Sequence, residues 1–157
     1  MFPVCIVSEA PPWNALPVAK IVSFSSDTPV NDRIYGQAQL CYLPEDGLHV
    51  RLWSFEVPPL LENRSLRFHI GKSSTSLHTV EILPIPQHGI FPLEGEDLQG
   101  IFWGGEFCLD NEFLADLLEK ETPFDSGFSF YGNFENNARS KAQFFENQVD
   151  HFQFVPF

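Results

Sequence analysis

The sequence predicts an all-β domain, an antiparallel β-sandwich with one short α-helix, and three observations support this prediction. Apolar and polar residues alternate with a period of two in several short stretches, which is the periodicity of strands. Thirteen prolines and ten glycines are spread along the 157 residues and divide the chain into short segments. Seventeen phenylalanines supply a large core, and a single methionine argues against a helix bundle. This length predicts one domain, residues 1–157.

The clearest predicted unit is a hairpin of residues 34–43 and 48–57. Its Pro-Glu-Asp-Gly turn allows Gly47 to take a positive φ. Alternation predicts one face of the second strand as Leu48, Val50, Leu52 and Ser54, and the other as His49, Arg51, Trp53 and Phe55. Further strands are predicted at residues 2–7, 18–24, 66–70, 77–85 and 127–135, with Phe152, Phe154 and Phe157 closing the chain. Residues 86–99 are expected to form a loop.

The stretch Gly100–Leu118 is predicted to begin as a strand and to end as the helix. Its first half alternates with the period of two. Asp110 or Asn111 can then accept a hydrogen bond from a free backbone N–H of the first helical turn. Leucines follow at helical spacing, and Pro123 lies just beyond the predicted end.

Charge and hydropathy limit the classes of partner. Nine basic and twenty-one acidic side chains give a net charge of −12, which repels nucleic acid and anionic membrane surfaces, so neither is expected as a partner. No stretch approaches the roughly 20 apolar residues of a membrane-spanning helix. The N-terminal residues lack the basic leader and long apolar run of a signal peptide, which predicts a cytoplasmic protein.

The sequence predicts no metal site and no cofactor. Cys5, Cys41 and Cys108 are widely spaced without a CxxC pair, so we expect reduced, mostly buried thiols. The five histidines are scattered, and none lies at zinc-ligand spacing from a cysteine. The acidic run containing Glu94 and Asp97, with Glu96 between them, offers oxygen ligands of the kind that Ca²⁺ prefers. A solvated acidic loop is the alternative interpretation of that run.

No catalytic signature is present. The chain lacks a G-x-S-x-G elbow, a glycine-rich phosphate loop and a Cys–His signature. Glycosidases need two carboxylates at a fixed separation, and the sequence alone places no such pair. We therefore predict that the protein is not an enzyme.

Several segments carry an ordered likeness to a known family. They are Trp13, Ala19-Lys20-Ile21, the segment AQLCYLPEDGLHVRLWSFEVPP that contains Glu56, FWGGEFCLDNEFL from Phe102, Tyr131-Gly132-Asn133-Phe134, and His151-Phe152-Gln153-Phe154-Val155-Pro156. In this order they resemble the family 9 carbohydrate-binding module and its bacterial single-domain relatives, which are DOMON-like β-sandwiches. Asn63 and Arg67 stand where many of those relatives carry acids.

The resemblance implies a saccharide site built from aromatic rings and polar side chains. Flat rings stack on the C–H face of a sugar, while amides, carboxylates and guanidinium groups bind its hydroxyls. Trp53 and Trp103 are the predicted stacking platforms. The predicted polar partners are Arg51, Glu56, Arg67, Glu106 and Asn133. The alternative is that both indoles fill the core, and Trp13 is expected to be a structural plug.

We therefore predict non-catalytic binding of a saccharide or a similar polyhydroxylated ligand. The alternative is a structural or protein-interaction module that kept the β-sandwich and lost ligand binding. In that case an exposed cluster of phenylalanines would pair subunits into a homo-oligomer or dock another partner. The predicted cluster is Phe144, Phe145, Phe152 and Phe154.

Overall fold

The computed structural model describes residues 1–22, 34–56, 64–136, 142–143 and 150–157. Its strands are β1 (Phe2–Ile6), β2 (Ala19–Val22), β3 (Ile34–Leu43), β4 (Gly47–Ser54), β5 (Leu66–Ser73), β6 (Ser76–Ile82), β7 (Phe91–Asp97), β8 (Gly100–Asp110), β9 (Ser129–Asn136), β10 (Ala142–Gln143) and β11 (Asp150–Pro156). A 3₁₀ turn, Trp13–Ala15, and helix α1, Asn111–Leu118, complete the described elements. None of the helices in these ranges has the length and apolar character that a membrane crossing requires.

The strands form one curled, open sheet. Their order is β1-β11-β9-β10-β2-β3-β4-β8-β7, and β5 pairs with both β9 and β6. Strand β1 runs parallel to β11 and to β3, whereas the other pairings are antiparallel. The all-β prediction is therefore confirmed, although the strands are not clearly divided into two separate sheets.

Two limbs of the curled sheet face each other across the core. We call them the β4 limb (β3, β4, β8 and β7) and the β9 limb (β5, β6, β9 and β11). The ring centroids of Phe68 on β5 and Phe107 on β8 lie 6.1 Å apart, and those of Tyr42 on β3 and Phe154 on β11 lie 4.7 Å apart. Because the inner faces meet in this way, the outer faces of the two limbs point to opposite sides of the molecule.

The β3–β4 hairpin has the predicted two-faced pattern. Gly47 adopts φ +151° in the turn, as its position requires. The core-facing residues Leu48, Val50, Leu52 and Ser54 are fully buried, and the outward-facing residues His49, Arg51 and Trp53 are half-buried. Phe55, which lies just beyond the end of β4, is buried, and its ring centroid lies 6.4 Å from that of Phe102 on β8.

The strand-to-helix prediction is confirmed at Asp110, which caps α1. Its Oδ1 accepts a hydrogen bond from the backbone N–H of Phe113 at 2.8 Å, which satisfies a donor that has no partner inside the helix. Leu114 and Leu118 are buried against the core. The helix ends before Glu119, which adopts a left-handed conformation with φ +53°.

The predicted loop at residues 86–99 is wrong in its second half, because residues 91–97 form strand β7. This segment pairs antiparallel with β8 along its whole length. Its proline, glycine and acids are typical of a loop, but β7 is a sheet edge. Edge strands tolerate a missing N–H and benefit from charges that prevent pairing with other chains.

The predicted exposed cluster of phenylalanines is wrong for Phe152 and Phe154, which are 0% and 1% exposed. Strand β11 lies between β1 and β9, so its alternate side chains enter the core. Phe144 and Phe145 lie outside the described residues.

Candidate functional site

The outer face of the β4 limb carries an aromatic and polar patch. We call it the outer patch and define it as Trp13, Arg51, Trp53, Phe102 and Glu106. The β4–β8 register places Arg51 directly opposite Glu106, and Trp53 directly opposite Gly104. Because side chains two residues apart share a face of a strand, these neighbours form a continuous surface on one side of the sheet.

An ion pair occupies the middle of the outer patch. The Nε of Arg51 lies 2.6 Å from Oε1 of Glu106, and the two side chains are 32% and 28% exposed. The guanidinium carbon of Arg51 also lies 4.6 Å from the ring centroid of Trp13, which is a cation–π distance. Both contacts orient the guanidinium and leave part of it open to solvent.

Gln39 holds the Trp13 segment over this face. Its side-chain amide donates to the backbone oxygen of Trp13 at 2.8 Å and to that of Leu16 at 3.3 Å. Gln39 lies beside Arg51 in the β3–β4 register, so the 3₁₀ turn is fastened next to the ion pair. Trp13 packs against a small buried cluster of Val7, Leu16 and Cys41, which fits its predicted role as a plug.

Trp53 is the half-buried indole at one end of the outer patch. Its ring centroid lies 6.3 Å from that of Phe102, with a tilt of 52° between the planes. Gly104 opposite it has no side chain, and a Cβ there would lie 2.8 Å from the Cβ of Trp53. In the part of the chain that the structure describes, the Trp53 indole N–H has no hydrogen-bond partner, so it remains able to donate to a ligand.

Trp103 is not the water-exposed platform that the sequence predicted. It lies on the inner face of β8 and is only 3% exposed. Its indole N–H donates to Oε1 of Glu56 at 2.7 Å, and the other oxygen of Glu56 accepts from Arg64 at 2.5 Å. Glu56 is thus engaged inside the protein, and the core-filling alternative describes Trp103 correctly.

Glu56→Ala is expected to lower the free energy of unfolding by about 1–3 kcal/mol, because the buried N–H of Trp103 loses its acceptor. Denaturant unfolding followed by tryptophan fluorescence measures the change. Glu96→Ala, at an exposed position on β7, is the matched control and is expected to change stability by less than about 0.5 kcal/mol. Equal effects of the two substitutions would contradict a structural role for Glu56.

Arg67 and Asn133 lie on the β9 limb, away from the outer patch. Arg67 on β5 pairs with Glu81 at 2.9 Å and with Glu135 at 3.5 Å. Asn133 on β9 is 5% exposed, and its Oδ1 accepts from the backbone N–H of Phe134 at 2.9 Å. Since the outer faces of the limbs point apart, these two predicted partners do not join Trp53.

A cavity of about 440 Å³ lies beside β7, and sequence reasoning missed it. Residues 82–87, Ile90, residues 92–94, Trp103 and Gly104 line it. The lining is mostly apolar, with the carboxylate of Glu94 as its one acidic group. The apolar, proline-rich run from Ile82 to Pro92 was the available signal, but it was interpreted as the end of a strand followed by a plain loop.

The acidic residues considered as calcium ligands belong to a strand rather than to a loop. Glu94 and Glu96 are two residues apart on β7 and therefore share one face. Asp97 accepts a hydrogen bond from the backbone N–H of Gln99 at 2.7 Å, which holds the β7–β8 turn.

The three thiols differ in exposure, which corrects the expectation that they are mostly buried. Cys41 is buried, Cys5 is half-buried, and Cys108 is exposed when all atoms of the residue are counted. Desolvation of the sulfur atoms raises the pKa of Cys41 and that of Cys108 to about 12. Both thiols are therefore protonated at neutral pH, and neither is an activated nucleophile.

No family model matches the chain, and no curated protein matches it.

Proposed function

We propose that the protein binds a saccharide or a similar polyhydroxylated ligand, without catalysis, on the outer patch. The observation that carries the proposal is the half-buried indole of Trp53 on the same strand face as the Arg51–Glu106 ion pair. An indole covers the apolar face of a sugar ring, and a fixed guanidinium–carboxylate pair offers donors and acceptors for its hydroxyls.

The ordered likeness to the family 9 carbohydrate-binding module supports the same function. The two limbs of the sheet, which face each other across the core, support the β-sandwich fold that this likeness implies. Of the predicted site residues, Trp53, Arg51 and Glu106 are retained in the proposal, with Trp13 and Phe102 added as aromatic neighbours. The cytoplasmic location remains a prediction from the sequence.

Trp53→Ala is expected to weaken saccharide binding by about 30-fold, the equivalent of about 2 kcal/mol, because it removes the stacking surface. Isothermal titration calorimetry with mono- and oligosaccharides measures the affinity. Tyr131→Ala is the matched control, because Tyr131 is a half-buried aromatic residue on the outer face of the β9 limb. The saccharide affinity of Tyr131→Ala should equal that of the wild type.

Two results would contradict this function. One is the absence of heat with every saccharide tested. The other is an unchanged affinity in Trp53→Ala where the wild type binds.

One observation favours a protein-interaction module as the second candidate. Large apolar side chains are exposed on and beside the β7–β8 hairpin, and exposed apolar side chains are a feature of interaction sites. They are Ile85 (47% exposed), Phe91 (66%), Leu98 (106%) and Ile101 (44%). Light scattering separates the two functions: a monomer that binds saccharide supports the first, and an oligomer disrupted by Phe91→Ser supports the second.

A further inference from the structure

A carboxylate, an imidazole and a thiol converge at the closed end of the β3–β4 hairpin. One ligand-type atom each of Asp46, His49 and Cys108 lies within 4.8 Å of the other two. Asp46 belongs to the β3–β4 turn, His49 to β4 and Cys108 to β8. These residues lie beyond the outer patch along the same sheet face, and the saccharide proposal does not use them.

The backbone fixes all three positions. His49 and Cys108 are direct partners in the antiparallel β4–β8 register, so their side chains leave the sheet side by side. The turn that holds Asp46 is closed by a hydrogen bond from the Asp46 N–H to the oxygen of Leu43 at 2.9 Å. The backbone oxygen of Asp46 accepts a hydrogen bond from the backbone N–H of Asn111, the first residue of α1.

The side-chain types are those that bind zinc. Zn²⁺ takes thiolate, imidazole and carboxylate ligands at about 2.0–2.3 Å, and sites with three protein ligands keep a fourth position for water or substrate. Donor atoms no more than 4.8 Å apart can reach one ion with small side-chain rotations. The Nε2 of His49 and the Oδ2 of Asp46 already lie 2.5 Å apart, so the imidazole is oriented toward the carboxylate.

The local charge favours a cation. Asp46 in the β3–β4 turn and Asp110 at the end of β8 place two carboxylates at this end of the sheet. Their negative charge attracts a divalent ion. When the ion binds, the Cys108 S–H bond breaks, its proton passes to solvent and the sulfur lone pair coordinates the metal.

We propose that Asp46, His49 and Cys108 form a zinc-type metal site with three protein ligands and one open position. The sequence spacing gives no sign of it, because the ligands come from a turn and two separate strands that only the β4–β8 register brings together.

The test uses the full chain after treatment with a chelator, with Zn²⁺ and Co²⁺ as probes. Calorimetry is expected to show one Zn²⁺ bound per chain, and Co²⁺ is expected to give a thiolate-to-metal charge-transfer band. Cys108→Ser should abolish that band. Cys108→Ser and His49→Gln should each weaken Zn²⁺ binding by at least about 100-fold, since even the loss of a residue that merely orients a ligand costs about 10–100-fold.

Cys5→Ser is the matched control, because Cys5 is a half-buried thiol outside the three-residue group. It should keep both the charge-transfer band and the zinc affinity of the wild type. Thermal melts of each metal-free variant establish that it is folded, and Asp46→Asn provides a further ligand variant on the exposed turn. Absence of zinc binding, or binding that Cys108→Ser leaves unchanged, would overturn the proposal.

Discussion

Phe152→Ala is expected to lower the free energy of unfolding by about 3–5 kcal/mol, which is a large share of the stability of a domain of this size. Phe152 on β11 is fully buried. Its ring contacts, with centroid distances, are Phe2 at 5.9 Å, Phe68 at 6.4 Å, Phe130 at 5.3 Å and Phe134 at 5.8 Å. Truncation leaves a cavity among rings from β1, β5 and β9, which the backbone hydrogen bonds of the sheet prevent from collapsing.

Phe157→Ala is the control for this prediction, because it removes the same side chain near the same strand from a position that is 62% exposed. Its expected effect lies within about 0.5 kcal/mol. Urea unfolding monitored by circular dichroism measures both variants. Comparable losses of stability would mean that the rings around Phe152 are not the core.

Gly104→Ala is expected to cost at least about 3 kcal/mol, at or beyond the upper end for overpacking. A Cβ at this position would lie 2.6 Å from the Cα of Trp53 and closer still to the backbone oxygen of Leu52. Backbone atoms in the middle of a sheet cannot move aside as a side chain can, so β4 and β8 would have to separate. The variant should therefore also lose the orientation of Trp53, and saccharide affinity should fall with stability.

Gly95→Ala tests whether contact with backbone causes that cost. Gly95 lies on the edge strand β7, and the nearest atoms to its added Cβ would be side-chain atoms of the Phe102 ring, the first at 2.9 Å. The ring can rotate away, so we expect a loss of stability well below that of Gly104→Ala. Thermal unfolding of the two variants in parallel provides the comparison, and equal losses would argue against a special close approach at Gly104.

Much of the fold could be predicted from local signals. The period of two located β4 and its buried face, and Asp110 was recognisable as a helix cap because capping depends on adjacent residues. Strand β7 could not be recognised, because its proline and acids are tolerated only at a sheet edge, and edge position is a property of the whole sheet. The burial of Phe152 likewise depends on β1, which is remote in sequence.

The candidate site was predicted less well than the fold. Arg51 and Trp53 share a strand face by alternation alone, and Glu106 joins them through the β4–β8 register. Trp103 does not join this site, because it is an odd number of residues from Glu106 and therefore lies on the opposite face of β8. Only the curvature of the sheet determines that this face is the buried one. Arg67 has the right chemistry for the site but belongs to the limb that faces the other way.

The parallel pairing of β1 with β11 has a consequence for how the chain folds during synthesis. Phe2 through Ile6 find their partners at Phe152 through Pro156, so one side of the first strand has no neighbour until the last described strand has left the ribosome. Because the two strands are so far apart in the sequence, the β1–β11 pairing forms late and slowly during folding. Until then a nascent chain must keep an apolar, unpaired strand away from other molecules.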